Sequence, residues 1–121
     1  MEKAIKEKCQ IDIIISYMQD TKDDDWCLDV VRSESGDKNC FFGHLFNMGS
    51  DEKESNALWD AFEHEWATTY MIYPINDGSD PKYQQDTPKE RVLAYLRDLR
   101  DKKTKCTRDY MKEMESYHKG Q

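Results

Sequence analysis

The chain has 121 residues, 36% of them charged, 37% hydrophobic and 12% aromatic, with a formal net charge of −7. That length points to one domain with one modest core, and the aromatic content argues against a disordered chain. The acidity disfavours general nucleic-acid binding. No apolar run approaches the roughly 20 residues that span a bilayer, and Met1-Glu2-Lys3-Ala4 opens no stretch of signal-peptide type, so a cytoplasmic protein is expected.

Residues 2–20 read as a helix, with Ile5, Cys9, Ile13 and Tyr17 at helical spacing and Ile14 and Met18 beside them. Residues 19–25 form an aspartate-rich loop. It lacks the spaced aspartates, glycine and distal glutamate of a calcium loop, so a solvated turn accounts for it. Trp26 to Val31 reads as a short strand, and Ser35-Gly36-Asp37 as a turn. Asn39 is placed to cap a helix from Cys40 to Met48, with Gly49 as its stop. Gly43 within that helix leaves room for another element to approach closely. Asp51 followed by Glu54 resembles a capping box, opening a helix that runs to about Trp66 with Leu58, Phe62 and Trp66 on its buried stripe.

Thr68 to Tyr73 is β-branched and aromatic, which suits a strand. Pro74 would place that strand at a sheet edge or end it, and Asn76-Asp77-Gly78 is a turn signal. Thr87-Pro88-Lys89-Glu90 is the clearest helix start in the chain. The helix it opens carries Val92, Leu96, Leu99, Lys103, Cys106, Tyr110, Met114 and Tyr117 along one seam. If continuous to residue 117 it spans roughly 45 Å, more than a domain of this size covers. The expected architecture is one α+β domain over residues 1–121. It has four helices, a small antiparallel sheet of two to three strands built from residues 26–31 and 68–75, and a long C-terminal helix whose residues 101–121 project.

The four cysteines, Cys9, Cys27, Cys40 and Cys106, form no Cys-x-x-Cys pair and are expected as free thiols. Cys40 and His44 share a helical face, but a zinc site needs two further ligands, and Cys9, Cys27, Glu63 or His64 would reach it only through tertiary contact. A Cys40 nucleophile with His44 as base lacks an orienting third group. His64 sits between Glu63 and Glu65, yet position 68 is Thr where a zincin helix requires His. A solvated helix face accounts for His64, a buried thiol for Cys40, and turn formation for Asn76, Asp77 and Asp80. No cofactor is expected.

Trp26, the helix Cys40-Phe41-Phe42-Gly43-His44-Leu45, the Asn76-Asp77 turn and Val92-Leu93-Ala94-Tyr95-Leu96 follow one another in an order that resembles a family of small, mostly phage and bacterial proteins of uncharacterised function. The resemblance covers residues 2 to about 100. The family commonly has a small residue where His44 stands, and it offers no counterpart to the tail after about residue 101. It implies a compact α+β accessory domain of phage or mobile-element origin, and no activity.

Residues 89–108 hold eight basic side chains against three acidic ones, in a chain that is otherwise strongly acidic. Together with the absence of a catalytic constellation, this favours a non-enzymatic protein that docks on a host protein or ribonucleoprotein, as anti-CRISPR inhibitors dock on a defence nuclease. Nucleic acid would be met only indirectly, and no membrane is involved. The expected contact residues are Arg97, Arg100, Lys103, Arg108, Tyr110, Met114 and Tyr117. Two alternatives remain: a zinc-stabilised module or small metal-dependent enzyme using Cys40, His44 and His64, and a homodimeric structural protein.

Overall fold

Hydrophobic spacing and end-caps decide most of this chain, and they decide it in favour of helix. The computed structural model describes residues 2–66 and 69–102. These hold α1 (Glu2–Lys8), α2 (Ile11–Asp20), a 3-10 turn (Asp23–Asp25), α3 (Phe41–Asn47), α4 (Glu52–Trp66), α5 (Thr69–Asp77) and α6 (Pro88–Lys102). Among the described residues there is no strand, only isolated bridges from Asn39 to Trp26 and to Arg32. The expected α+β fold with its small antiparallel sheet is therefore corrected to an all-α one over the described residues, where the four expected helices become six.

The reason lies first in α5. A helix brings Met71, Ile72 and Ile75 onto one inward face, each 2% exposed or less. Each such side chain contributes about 1.5–3 kcal/mol on burial, against a β-propensity scale that spans only about 1 kcal/mol. Pro74 lies inside this helix, three residues before its end. The Asn76-Asp77-Gly78 signal then serves a helix stop. Gly78 takes φ 83°, its N–H bonds the Ile75 carbonyl at 3.3 Å, and the Ser79 N–H bonds the Pro74 carbonyl at 2.9 Å. That pair of bonds is a Schellman motif, which needs the same positive φ as a hairpin turn.

The expected first helix is two helices. Gln10 is extended at φ −62°, ψ 132°, and the break resets the helical phase. Ile14, Ile15 and Met18 consequently point inward while Ile13 is left exposed. Helix α3 begins at Phe41, with Cys40 rather than Asn39 at the cap position and no side chain of its own closing the end. Helix α4 starts as its sequence indicates: Asp51 Oδ1 accepts the Glu54 N–H at 2.8 Å, and Glu54 in turn accepts from Ser50 N–H at 3.3 Å and Ser50 Oγ at 3.0 Å. Helix α6 starts likewise, Thr87 Oγ1 accepting the Glu90 N–H at 3.1 Å.

Helix α6 packs against α2 and α5, and α4 packs against α3 and α1. Phe41, Phe42, Leu58, Phe62, Ile72, Val92 and Leu96 are completely buried. Trp59 stacks on Phe42 with ring centroids 4.4 Å apart and 15° between planes. Gly43 admits the segment before α3: a Cβ there would stand 2.4 Å from the Val31 carbonyl oxygen and 2.6 Å from Asn39 Oδ1. Lys89 of α6 closes the C-terminus of α2, donating to the carbonyls of Gln19 at 2.8 Å and Thr21 at 2.5 Å, where a cation also meets the helix dipole. Among the described residues no helix is long and apolar enough to cross a membrane. The expected projecting extension lies, from residue 103 onward, outside the described residues.

Candidate functional site

The segment expected as the first strand is a loop with a closed neck. At one side the Cys27 N–H donates to the Asn39 carbonyl at 3.1 Å, and at the other the Cys40 N–H donates to the Val31 carbonyl at 2.9 Å. Between these bonds Leu28, Asp29 and Val30 stand out from the body. Leu28 is 45% exposed and Val30 52%, two of the three large apolar side chains left at the surface among the described residues. Asp29 adopts φ 66°, a left-handed conformation that is uncommon for a residue with a side chain. Its N–H is held by Asp77 Oδ1 at 3.1 Å, which fixes the tip against the end of α5.

The base of the loop is anchored through Asn76, which is 1% exposed. Its Oδ1 accepts the Phe41 N–H at 3.1 Å and so caps α3 from 35 residues away. Its Nδ2 donates to the Cys27 carbonyl at 2.9 Å and to Asp77 Oδ1 at 3.1 Å. Its own carbonyl accepts Arg91 Nη2 at 2.8 Å, while Arg91 Nε bonds the Ile75 carbonyl at 3.1 Å. The buried Arg91 thus places its positive charge on the carbonyl end of α5, where the helix dipole favours it. On the other flank, Trp26 packs on the His44 ring at 4.4 Å, and Trp26 Nε1 donates to Thr21 Oγ1 at 2.8 Å. Arg32 bridges Asn39 Oδ1 and Asn47 Oδ1, both at 2.9 Å. The apolar tip is therefore set on a firm base, and exposed charges of both signs flank it in the chain: Asp29, Glu34 and Asp37, with Arg32 and Lys38. Hydrogen bonds from Ser35 and Ser33 hold the Asp37 carboxyl below its usual range.

The residues proposed for metal or nucleophilic chemistry are dispersed. His44 Nε2 lies 3.1 Å from the Asp25 carbonyl oxygen. A carbonyl only accepts, so Nε2 carries the proton. Burial lowers the His44 pKa and keeps the ring neutral at neutral pH. Burial also raises the Cys40, Cys27 and Cys9 thiols, which leaves them protonated and weakly nucleophilic. Among the described residues no three His, Cys, Asp or Glu side chains stand close enough together to hold a metal ion. His64 belongs elsewhere, on the wall of a second feature: a groove of about 450 Å³ between α1 and the end of α4, which Cys9 also lines. Trp66 forms part of that wall, and its buried Nε1 has no hydrogen-bond acceptor among the described residues. Such an orphaned donor costs about 1–3 kcal/mol.

Of the expected contact residues, Arg97 is exposed on α6, and Arg100 is half-exposed beside Asp12 at 3.8 Å and Asp101 at 3.1 Å. Lys103, Arg108, Tyr110, Met114 and Tyr117 lie outside the described residues, as does Cys106. Sequence reasoning passed over Leu28 and Val30, which alternate with Asp29 as strand residues do. It read Asn76 as a turn residue and passed over Arg91, and the partners of both are remote in the chain. Compared with family models, curated proteins and solved structures, the chain finds no match.

Proposed function

We propose that this protein is a non-enzymatic binding factor that docks on another protein through the tip formed by Leu28, Asp29 and Val30. The observation that carries this reading is the combination at that tip: two exposed apolar side chains flank a residue held at φ 66° by Asp77. Exposed apolar groups on a rigid base lose little conformational freedom on association, which is what a binding anchor requires. Asp29 at the tip, with Asp77 behind it, favours a partner that offers a basic group beside its apolar notch. The resemblance to small phage and bacterial proteins supports a phage or mobile-element accessory role in the host cytoplasm, with inhibition of a defence nuclease as one form of it. Arg97 and Arg100, with Lys103 and Arg108, are the proposed second contact, for an acidic or RNA-containing part of the same partner.

The test is paired capture from host lysate, with and without nuclease treatment, using the natural chain and a Leu28→Asp/Val30→Asp variant. The variant removes no core contact, so its unfolding midpoint should stay within about 0.5 kcal/mol of the natural chain. One host protein retained by the natural chain and lost with the variant supports the reading. An identical captured set overturns it.

A further inference from the structure

We propose that Cys27 and Cys40 form a redox-modification site, at which a small disulfide oxidant such as oxidised glutathione joins the two sulfurs within the chain and locks the neck of the loop. This concerns the neck itself and does not rest on the docking role of the tip. Main-chain bonds set the pair. The Asn39 N–H donates to the Asp25 carbonyl at 2.9 Å, and the Cys27 N–H donates to the Asn39 carbonyl at 3.1 Å. Those two bonds make Trp26 and Asn39 a parallel bridge. The next residue along each segment is a cysteine, and Cys40 is extended at φ −78°, ψ −176°. Parallel register therefore sets Cys27 beside Cys40 with both side chains on one face. Paired segments lie about 4.8 Å apart, inside the roughly 4.4–6.8 Å between Cα atoms that a disulfide spans.

Two further observations hold the pair together. The Asn76 carboxamide reaches from the Cys27 carbonyl, at 2.9 Å, to the Phe41 N–H, at 3.1 Å, just past both cysteines. Burial is the main cause that raises both thiol pKa values, but Asp77 adds to both and Cys27 adds to Cys40, as neighbouring charges do. The two sulfurs differ in access. Cys27 is partly exposed, and its thiol rests on the Val30 carbonyl at 3.5 Å, a weak bond that rotation about χ1 gives up. Cys40 is 3% exposed. Cys27 is therefore the attacking sulfur and Cys40 the resolving one. The Cys27 thiol loses its proton, and its sulfur attacks one sulfur of oxidised glutathione. The glutathione disulfide breaks, a mixed disulfide forms on Cys27, and the glutathione thiolate released takes up a proton. The Cys40 sulfur, after losing its own proton, then attacks the Cys27 sulfur. The Cys27–Cys40 bond forms as the Cys27–glutathione bond breaks, and the second glutathione leaves and is protonated. Two protein thiols are oxidised to one disulfide, and one oxidised glutathione is reduced to two glutathione thiols.

The experiment equilibrates the full chain with graded mixtures of oxidised and reduced glutathione at about pH 8.5, which supplies the thiolate that burial withholds at neutral pH. One series is native and the other is in about 8 M urea. Both are blocked with N-ethylmaleimide and digested with trypsin. Cleavage after Lys22, Arg32, Lys38 and Lys53 puts the two cysteines on separate peptides, 23–32 and 39–53. Mass spectrometry should find these two peptides joined, with an equilibrium constant roughly tenfold or more higher in the native chain than in urea. By linkage the oxidised chain should then unfold at a higher urea midpoint than the reduced one. Cys40→Ser should stop with glutathione on Cys27, whereas Cys27→Ser should leave Cys40 unmodified in the native chain. The proposal is overturned if peptides 23–32 and 39–53 are not joined in the native chain, if Cys9 or Cys106 takes the place of either partner, or if the native equilibrium constant does not exceed that in urea.

Discussion

Replacing Asn76 with alanine should cost far more than the loss of an ordinary polar side chain. Three side-chain bonds disappear together, two of them to the main chain and one, the more exposed, to Asp77. The Phe41 N–H, at the first turn of α3, loses its acceptor at 3.1 Å in a buried position, and an orphaned donor of this kind costs about 1–3 kcal/mol. The Cys27 carbonyl loses its 2.9 Å donor, worth about 1 kcal/mol net because that side is only partly buried. The expected destabilisation is about 2–4 kcal/mol, a large share of the roughly 5–15 kcal/mol that holds a small domain together. Urea unfolding at neutral pH, followed by both tryptophan fluorescence and circular dichroism, measures it. Asn76→Asp refines the test. It keeps an acceptor for Phe41 but turns a carboxylate toward the Cys27 carbonyl and Asp77, so burial and like charge both raise its folded pKa. A group whose folded pKa is raised gains stability as pH falls, so the deficit of Asn76→Asp should narrow on acidification below about pH 6. An Asn76→Ala cost below about 0.5 kcal/mol, or an Asn76→Asp deficit that widens in acid, would refute the capping role.

Three further outcomes follow from the same geometry. Gly43→Ala gains about 1 kcal/mol in helix propensity, yet its Cβ would sit 2.4 Å from the Val31 carbonyl oxygen, so the net effect in a urea melt should be destabilising by about 1–3 kcal/mol. His44 has its pKa lowered, chiefly by burial, from an ordinary 6.5. Its contribution is complete above that value and is lost as pH falls through the folded pKa, so the stability profile of His44→Phe between pH 7 and about pH 5 should be flatter than that of the natural chain. Glu54 is lowered from an ordinary 4.5, first by the Lys8 hydrogen bond and then by Ser50. Its contribution is present above pH 4.5 and is lost below it, so acid unfolding of Glu54→Gln should show a shallower limb, and an unchanged limb would count against the Lys8 contact.

What the sequence revealed was local. The Asp51–Glu54 and Thr87–Glu90 starts were legible because a cap and the N–H it binds lie within three residues of each other. The core stripes Leu58-Phe62-Trp66 and Val92-Leu96-Leu99 were legible because they follow one uninterrupted helical period. What stayed hidden depended on distance or on ambiguity. Gly78 signals a positive φ, and nothing within a few residues distinguishes a hairpin turn from the end of a helix. The phase slip at Gln10 hides inside a continuous apolar period and shows only in which isoleucines turn inward. The cap on α3 comes from Asn76, beyond any local pattern. The exposed tip was missed because alternation in Leu28-Asp29-Val30 fits a strand equally well, and Asp29 carries no glycine-like mark of its left-handed backbone.

The closed neck at Cys27 and Val31 has a consequence for how this chain could diversify. Both bonds that seal it run between main-chain groups, and such groups are the same whatever side chains lie beyond them. Leu28 and Val30 can be exchanged without touching either bond, whereas Asp29, at φ 66° and held by Asp77, restricts what can stand between them. A lineage could vary those two side chains without renegotiating the folded body, and the same two positions offer an engineer a place to display foreign side chains.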